Sequence, residues 1–492
     1  METYTWFNVI AVLFASFGSL FCGYTLSVII ATLGQPTWYS SLHLETDPTS
    51  PDYGWTNTVI SCANGLFFAG GFFGALFTGL ISAKLGRIRV FQIGAVIGIV
   101  GGAIQTGAIS AAMYLVARVI TGFAMGMIFA AVPVWTGEVA PPRLRGVMAG
   151  MHGCFVNVGY FASNWVGSFG WRFPQAVIII WATLLLGGTL IIPESPRWLV
   201  AKGRDNEALQ VLHRLHDHQD LSDAQNSFAQ QELALIRQQI AADQKQLHEG
   251  GRWQIFTQKT YRKRLILACM TTVGSQNTGI LVINNYNALL YQSLGLSTSH
   301  ALLVGAGYNT WAMLANFLGA FISDRFGRRK LLLIGFISNV SMFVVATGLL
   351  GKYSYVPTSG WAAAALTFLF LYVFCHGTFI DPNVWVVAAE VFPSHLRADG
   401  TAISIALVTA ADILWLQLAP TAASTIGWKY YLVFIALGIV HIIYFWFKLP
   451  ETSGLALEDI DVLFGKEPAS REQDSLDSLE GEKKIGISTA EV

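Results

Sequence analysis

Long stretches almost free of charged residues dominate this chain, at 3–42, 55–83, 90–117, 119–137, 173–193 and 331–350. Each holds about 20 apolar residues, the length at which an α-helix crosses a hydrocarbon core. Followed through the whole chain, the pattern predicts twelve spans: 6–29, 56–82, 90–110, 112–137, 146–168, 174–193, 264–289, 300–322, 331–350, 361–389, 399–423 and 427–449. Glycine recurs inside them, as where membrane helices pack backbone to backbone. Gly122 and Gly126 follow Arg118 at four-residue steps and give the fourth span one smooth face. The predicted fold class is an all-α membrane protein.

The polar segment 194–263 divides the chain into 1–193 and 264–450. Helical periodicity in "DNEALQVLHRLHDH" and "QQELALIRQQIAADQKQL" predicts short surface helices there rather than a folded enzyme domain. The tail, 451–492, turns charged and Ser-rich and is expected to be disordered after 465.

Composition agrees with the pattern. Of 492 residues 53% are hydrophobic and 12% charged, against about a quarter charged in soluble proteins. The net charge of zero gives no reason to expect nucleic acid as a partner. All but four of the 30 Lys and Arg lie in or at the edge of 82–90, 138–146, 194–263, 322–330, 390–398 and the tail. The exceptions are Arg118, Arg172, Lys352 and Lys429. The positive-inside rule then places these loops and both termini of this multi-pass chain in the cytoplasm; the membrane expected for it is the plasma membrane. The five cysteines fall inside predicted spans without metal-ligand spacing and read as packing residues. The N-terminus lacks a basic n-region and an obvious cleavage site, so the first span is read as retained.

The two halves repeat. "GLISAKLGRIR" (79–89) pairs with "AFISDRFGRRK" (320–330), "EVAPPRLRG" (138–146) with "EVFPSHLRADG" (390–400), and "PESPRW" (193–198) with "PETSG" (450–454). A duplicated helical unit around a midplane site is what alternating access requires. The repeated loops supply a candidate cytoplasmic gate of Arg87, Glu138, Arg145, Asp324, Arg328, Glu390 and Arg397. One exposed ion pair contributes only about 0–1 kcal/mol, but a network of them biases a two-state equilibrium.

With "RVITGFAMG…VPVWTGEVAPPRLRG", "WRFPQ", "PESPRWL" and "W…EVFPSHLR" added to the basic turns, the chain resembles the sugar porter family of the major facilitator superfamily, in its fungal-like branch. The resemblance extends to about residue 465. It implies the major facilitator fold: 12 transmembrane helices in two six-helix bundles, with cytoplasmic helices in the central loop. It also implies a transporter, not an enzyme, that moves a hexose or related monosaccharide by alternating access, either facilitatively or coupled to protons. Readings left open are a pentose, disaccharide, polyol or cyclic acid as cargo, or a nutrient receptor that does not transport. The expected partners are a small sugar-like solute and the bilayer, with the chain as a monomer.

Departures from the family pattern bear on the energy source. In "GYTLSV" (23–28) Thr25 stands where proton-coupled relatives carry Asp, and Thr does not titrate. Arg118 matches the family's fourth-helix Arg, so within a bilayer it needs another partner or a wet cavity. The coupling candidates are therefore Arg118, Asp381 and Asp412, with protons as the coupling ion and no other cofactor. Glu138 is twenty helical residues from Arg118, about 30 Å away.

A sugar site wants amides and carboxylates for hydroxyls and an aromatic face for the ring. The seventh span, "GSQNTGILVINNYNALLY" (274–291), keeps the family's Gln276, Gly279, Ile280 and Tyr286. Ser275, Leu281 and Asn285 depart from the pattern, and Gly153 stands at the family's fifth-span Gln, beside His152. The candidate substrate-binding residues are Gln276, Asn284, Asn285, Trp385, Asp412, Asn157 and Asp381. Helix–helix hydrogen bonding is the structural alternative for each polar one. Trp385 matches the family's tenth-helix Trp and lies four residues after Asp381, on one helical face.

Overall fold

The computed structural model describes residues 6–47, 49–139, 145–216, 228–251, 253–451 and 464, and the expected disordered tail lies outside them. Among the described residues, nine helices are long and apolar enough to cross a membrane. Arg145–Val166, Arg172–Gly188 and Thr298–Phe326 complete twelve spans. In chain order the others are Trp6–Leu33, Tyr53–Leu85, Arg87–Thr106 and Ala111–Val139 before them, then the seventh and the ninth to twelfth. The ninth is Arg328–Tyr355, the eleventh Ser394–Thr425 and the twelfth Tyr431–Lys448.

Two predicted spans are not continuous helices. The seventh is broken into Lys259–Gln276, Ile280–Asn285 and Asn287–Ser293. The break is built on Gly279, whose φ of 88° is a left-handed conformation that L side chains avoid. The tenth runs from Ser359 to Cys375, widens into a π-helical turn over His376–Ile380, and resumes as Asp381–Glu390 with Pro382 in its first turn. Pro382 lacks the N–H that a regular ladder needs. Hydropathy averages across such breaks, because the residues on both sides stay apolar. Non-helical backbone at membrane depth is tolerated where protein groups satisfy it. Here the Tyr372 hydroxyl donates to the backbone Thr278 O (3.0 Å), while Trp415 Nε1 fixes the neighbouring Asn277 side chain through Oδ1 (3.0 Å).

Packing repeats as the sequence does. First against fifth, second against fourth, and third against both fourth and sixth recur as seventh against eleventh, eighth against tenth, and ninth against both tenth and twelfth. The halves meet along two seams, second with eleventh and fifth with eighth. Backbone approach within a half is close on the smooth face of the fourth span: a Cβ at Gly122 would lie 1.9 Å from Phe67 O. Large side chains such as Phe73, Leu80, Phe321 and Phe447 point outward, as a lipid-facing surface requires. Segment 194–263 contains the helices Pro196–Ala201, Asp205–His216 and the longer Phe228–Gly250. They share a small core of Leu199, Leu212, Leu233 and Ile236.

Candidate functional site

On the face that carries the basic loops, the same arrangement is built twice. Gly86 (φ 95°) separates the second and third spans, and Gly327 (φ 85°) separates the eighth and ninth. At the first turn, Arg87 N and Ile88 N donate to the two oxygens of Glu194 (3.0 and 3.2 Å). At the second, Arg328 N and Arg329 N donate to Glu451 (2.9 and 3.2 Å). A carboxylate on a helix N-terminus satisfies orphan donors and meets the positive end of the dipole. The Arg side chains turn the other way: Arg87 Nη2 pairs with Glu138 Oε1 at 2.6 Å, and Arg328 pairs with Glu390. Each pair joins neighbouring spans of one half. Arg397 is half-buried at the start of the eleventh span, whereas the side chains of Arg145 and Asp324 lie outside the described residues. Glu194 and Glu451 were visible only as parts of a repeat, because their partners are more than a hundred residues away.

The central cavity sits between the halves at the level of the two broken helices and has a volume of about 110 Å³. Its organising group is Asp381, the first residue after the π turn. Oδ2 accepts from Asn157 Nδ2 (3.2 Å) on the fifth span and from Asn316 Nδ2 (2.5 Å) on the eighth. Oδ1 accepts from Trp385 Nε1 (3.2 Å) one helical turn along. The carboxylate therefore bridges the two halves. Asn316 is fully buried and also accepts from Cys154 Sγ at 3.5 Å.

Across the cavity, Gln276 and Asn284 project from the two sides of the Gly279 break. Gln276 Oε1, Asn284 Oδ1 and Asp412 Oδ1 are buried without a hydrogen-bond partner. Asp412 is 3% exposed on the eleventh span. His376 Nε2 shares a hydrogen bond with Ser275 Oγ (3.2 Å), and His152 Nδ1 shares one with Ser19 Oγ (2.8 Å).

Two cross-half contacts bound the cavity. Toward the basic loops, the rings of Phe129 and Trp385 meet edge to face at 5.3 Å, with a smaller cavity beyond them lined by Pro133, Thr272 and Ser404. Toward the opposite face, Asn64 Nδ2 donates to the Tyr286 hydroxyl (3.1 Å), which donates to Leu416 O (2.9 Å). Sequence reasoning missed Phe129 and Asn316, since a Phe or a lone Asn inside a span reads as packing.

Six of the seven candidate substrate residues (Gln276, Asn284, Asn157, Asp381, Trp385 and Asp412) line one cavity. The structure places Asn285 elsewhere: it is buried, and its Nδ2 donates to Leu281 O (3.0 Å). A helix turns about 100° per residue, so with Asn284 facing the cavity its neighbour points away. Arg118 also lies outside the lining. Its Nε donates to Ala63 O (2.9 Å), its Nη1 to Thr25 O (3.3 Å), and its guanidinium covers the Phe67 ring at 4.0 Å. Backbone carbonyls and an aromatic face thus take the place of a carboxylate partner.

Residues 11–464 match the family described as Sugar (and other) transporter. The chain is 32% identical to the MFS-type transporter criB of Aspergillus cristatus, over 91% of each chain. It is 29% identical to the MFS glucose transporter mfs1 of Aspergillus flavus, over 92% of this chain and 88% of that one. Its fold is similar to the proton:xylose symporter XylE bound to 6-bromo-6-deoxy-D-glucose, with a TM-score of 0.76 at 23% identity, over 93% of this chain and 99% of that one.

Proposed function

The chain belongs to the sugar (and other) transporter family, and on that premise we propose that it carries a monosaccharide-sized polyhydroxylated solute, with Asp412 as a proton-binding coupling group. One observation carries this reading. The residues lining the cavity between the halves include Gln276, Asn284 and Asp412, each with a buried oxygen that accepts no hydrogen bond, beside a carboxylate already fixed by three donors. Hydroxyl groups are the donors that complete such a set, and Trp385 offers the aromatic face for a sugar ring.

The halves 1–193 and 264–450 act as rocking bodies joined by 194–263, in a monomer of the plasma membrane with both termini cytoplasmic. In one extreme the Asn64–Tyr286–Leu416 contact parts and the solute enters. In the other the Phe129–Trp385 contact parts and it leaves. Asp381 senses the solute because its ligand Asn157 belongs to the opposite half. The Arg87–Glu138 and Arg328–Glu390 pairs, with their carboxylate-capped turns, keep the loop-side helix ends of each half together as a rigid lever.

Coupling to protons is favoured over facilitation by Asp412, a nearly inaccessible carboxyl at membrane depth whose Oδ1 has no donor. A charge there is costly unless paired, and a proton removes the cost. Uptake of a labelled panel of hexoses, pentoses and polyols in a host without its own sugar carriers tests the proposal, with and without a protonophore. Uptake that the protonophore abolishes is the expected result. Indifference to it would leave facilitation, and no uptake of any compound would overturn transport of this cargo.

A further inference from the structure

We propose that the central cavity takes a hydroxylated solute bearing an ammonium group, an amino sugar, with the Asp412 carboxylate as its charge partner. This rests on reading the cavity as the sugar site and goes further by naming the substituent. The first support is the kind of atom left unpaired. Gln276 Oε1, Asn284 Oδ1 and Asp412 Oδ1 are acceptors, and the fourth such atom among the described lining residues, His152 Nε2, accepts when the ring proton sits on Nδ1 toward Ser19. A sugar hydroxyl offers one donor, whereas an ammonium offers three and a positive charge.

The second support is charge. Among the described residues, two carboxylates line the cavity, Asp381 and Asp412, and no Lys or Arg does. Arg118, the cation buried in the first half, is turned toward Ala63 O and Thr25 O behind Phe67. Asp381 is already supplied with three donors, so Asp412 is the carboxylate that lacks them. Burying an ionised carboxylate without a partner is costly, and a ligand cation offsets that cost where a neutral hydroxyl does not.

The third support is the wall. Phe68, Phe129, Tyr160 and Trp385 line the same space, and aromatic faces attract cations. The titratable groups that share the cavity with Asp412 are Tyr160, His152, His376 and Asp381. Both imidazoles are tied to serines, His152 to Ser19 and His376 to Ser275. The same features disfavour sugar acids. They also give the coupling group a second use: an ammonium seated against Asp412 replaces the proton that accompanies a neutral sugar.

Equilibrium binding of labelled glucosamine, glucose and glucuronate to the purified full chain in nanodiscs tests this at about pH 6, where an amine of this kind is protonated. Glucosamine should bind roughly tenfold or more tighter than glucose, the order expected of one desolvated charge pair, and glucuronate should bind weakest. The glucosamine-to-glucose ratio should collapse in Asp412→Asn and recover in Asp412→Glu. The ranking on the native protein carries the test if either variant fails to fold. Equal binding of glucosamine and glucose, or a preference that survives Asp412→Asn, overturns the proposal and leaves the sugar reading intact. Binding of none of the three compounds overturns both.

Discussion

Replacing Asp381 with Asn removes the charge that three donors converge on. Asn157 Nδ2 (3.2 Å), Asn316 Nδ2 (2.5 Å) and Trp385 Nε1 (3.2 Å) all point at its two oxygens. An amide keeps one acceptor oxygen and puts an NH2 where the other stood, so at least one donor meets another donor. A hydrogen bond to a charged group contributes about 1.5–3 kcal/mol, and a buried donor left unsatisfied costs about 1–3 kcal/mol. Asn157 belongs to the fifth span and Asp381 to the tenth, so the loss falls on the contact between halves and on the orientation of Trp385. If only one such bond is lost from the bound state, the dissociation constant for labelled glucose should rise roughly ten- to a hundredfold. Equilibrium binding in nanodiscs reads this directly, with thermal unfolding of the same samples showing whether the fold persists. Asp381→Glu keeps the charge but lengthens the arm, and should fall between the two. Native-like affinity in a well-folded Asp381→Asn protein would refute the reasoning, because the carboxylate would then not organise the site.

Three further substitutions follow from the geometry. Gly86→Ala should lower the melting temperature, since a Cβ there would lie 2.3 Å from Glu194 Oε2 and backbone at φ 95°, ψ 167° is open essentially to glycine, at a cost to an L residue of roughly 1–3 kcal/mol. Gly327→Ala, where the approach to Glu451 Oε2 is 2.8 Å, should cost less; native-like melting of both would contradict the cap. Phe129→Ala removes the ring that parts the central cavity from the smaller one, so efflux from preloaded proteoliposomes should quicken several-fold. Unchanged efflux would show that this pair does not gate. Thr25→Asp should supply an acceptor to Arg118 Nη2, which has none. A carboxylate favoured in its ionised form adds stability at neutral pH and loses it as acid protonates it, so a lower melting temperature at neutral pH would contradict the placement.

The spans were legible because run length and charge exclusion are local properties of the chain. The repeated basic turns were legible because Gly-Arg ends a long apolar run at matched places in the two halves, Gly86-Arg87 and Gly327-Arg328. The breaks at Gly279 and at His376–Ile380 were not, because hydropathy stays high through a distorted turn. The site was legible by residue type: amides, carboxylates and an aromatic in otherwise apolar spans led to Gln276, Asn284, Asp381, Trp385 and Asp412. Choosing Asn284 over Asn285 required the phase of a six-residue helix that begins only after the break. Arg118 raised a question that sequence left open, since its partners are the carbonyls of Ala63 and Thr25 and any residue carries a carbonyl. Glu194 and Glu451 cap helices that begin far away in the chain, and no local pattern marks such a contact.

The most direct test of the account is accumulation of labelled glucose in proteoliposomes under an imposed inward proton gradient, with native protein and Asp412→Asn side by side. The account predicts that native protein raises the internal concentration above the external one and that a protonophore abolishes the excess. The Asp412→Asn protein should bring the two concentrations level and no further. Native protein that never exceeds equilibrium, or an Asp412→Asn protein that accumulates as well as native, would contradict it.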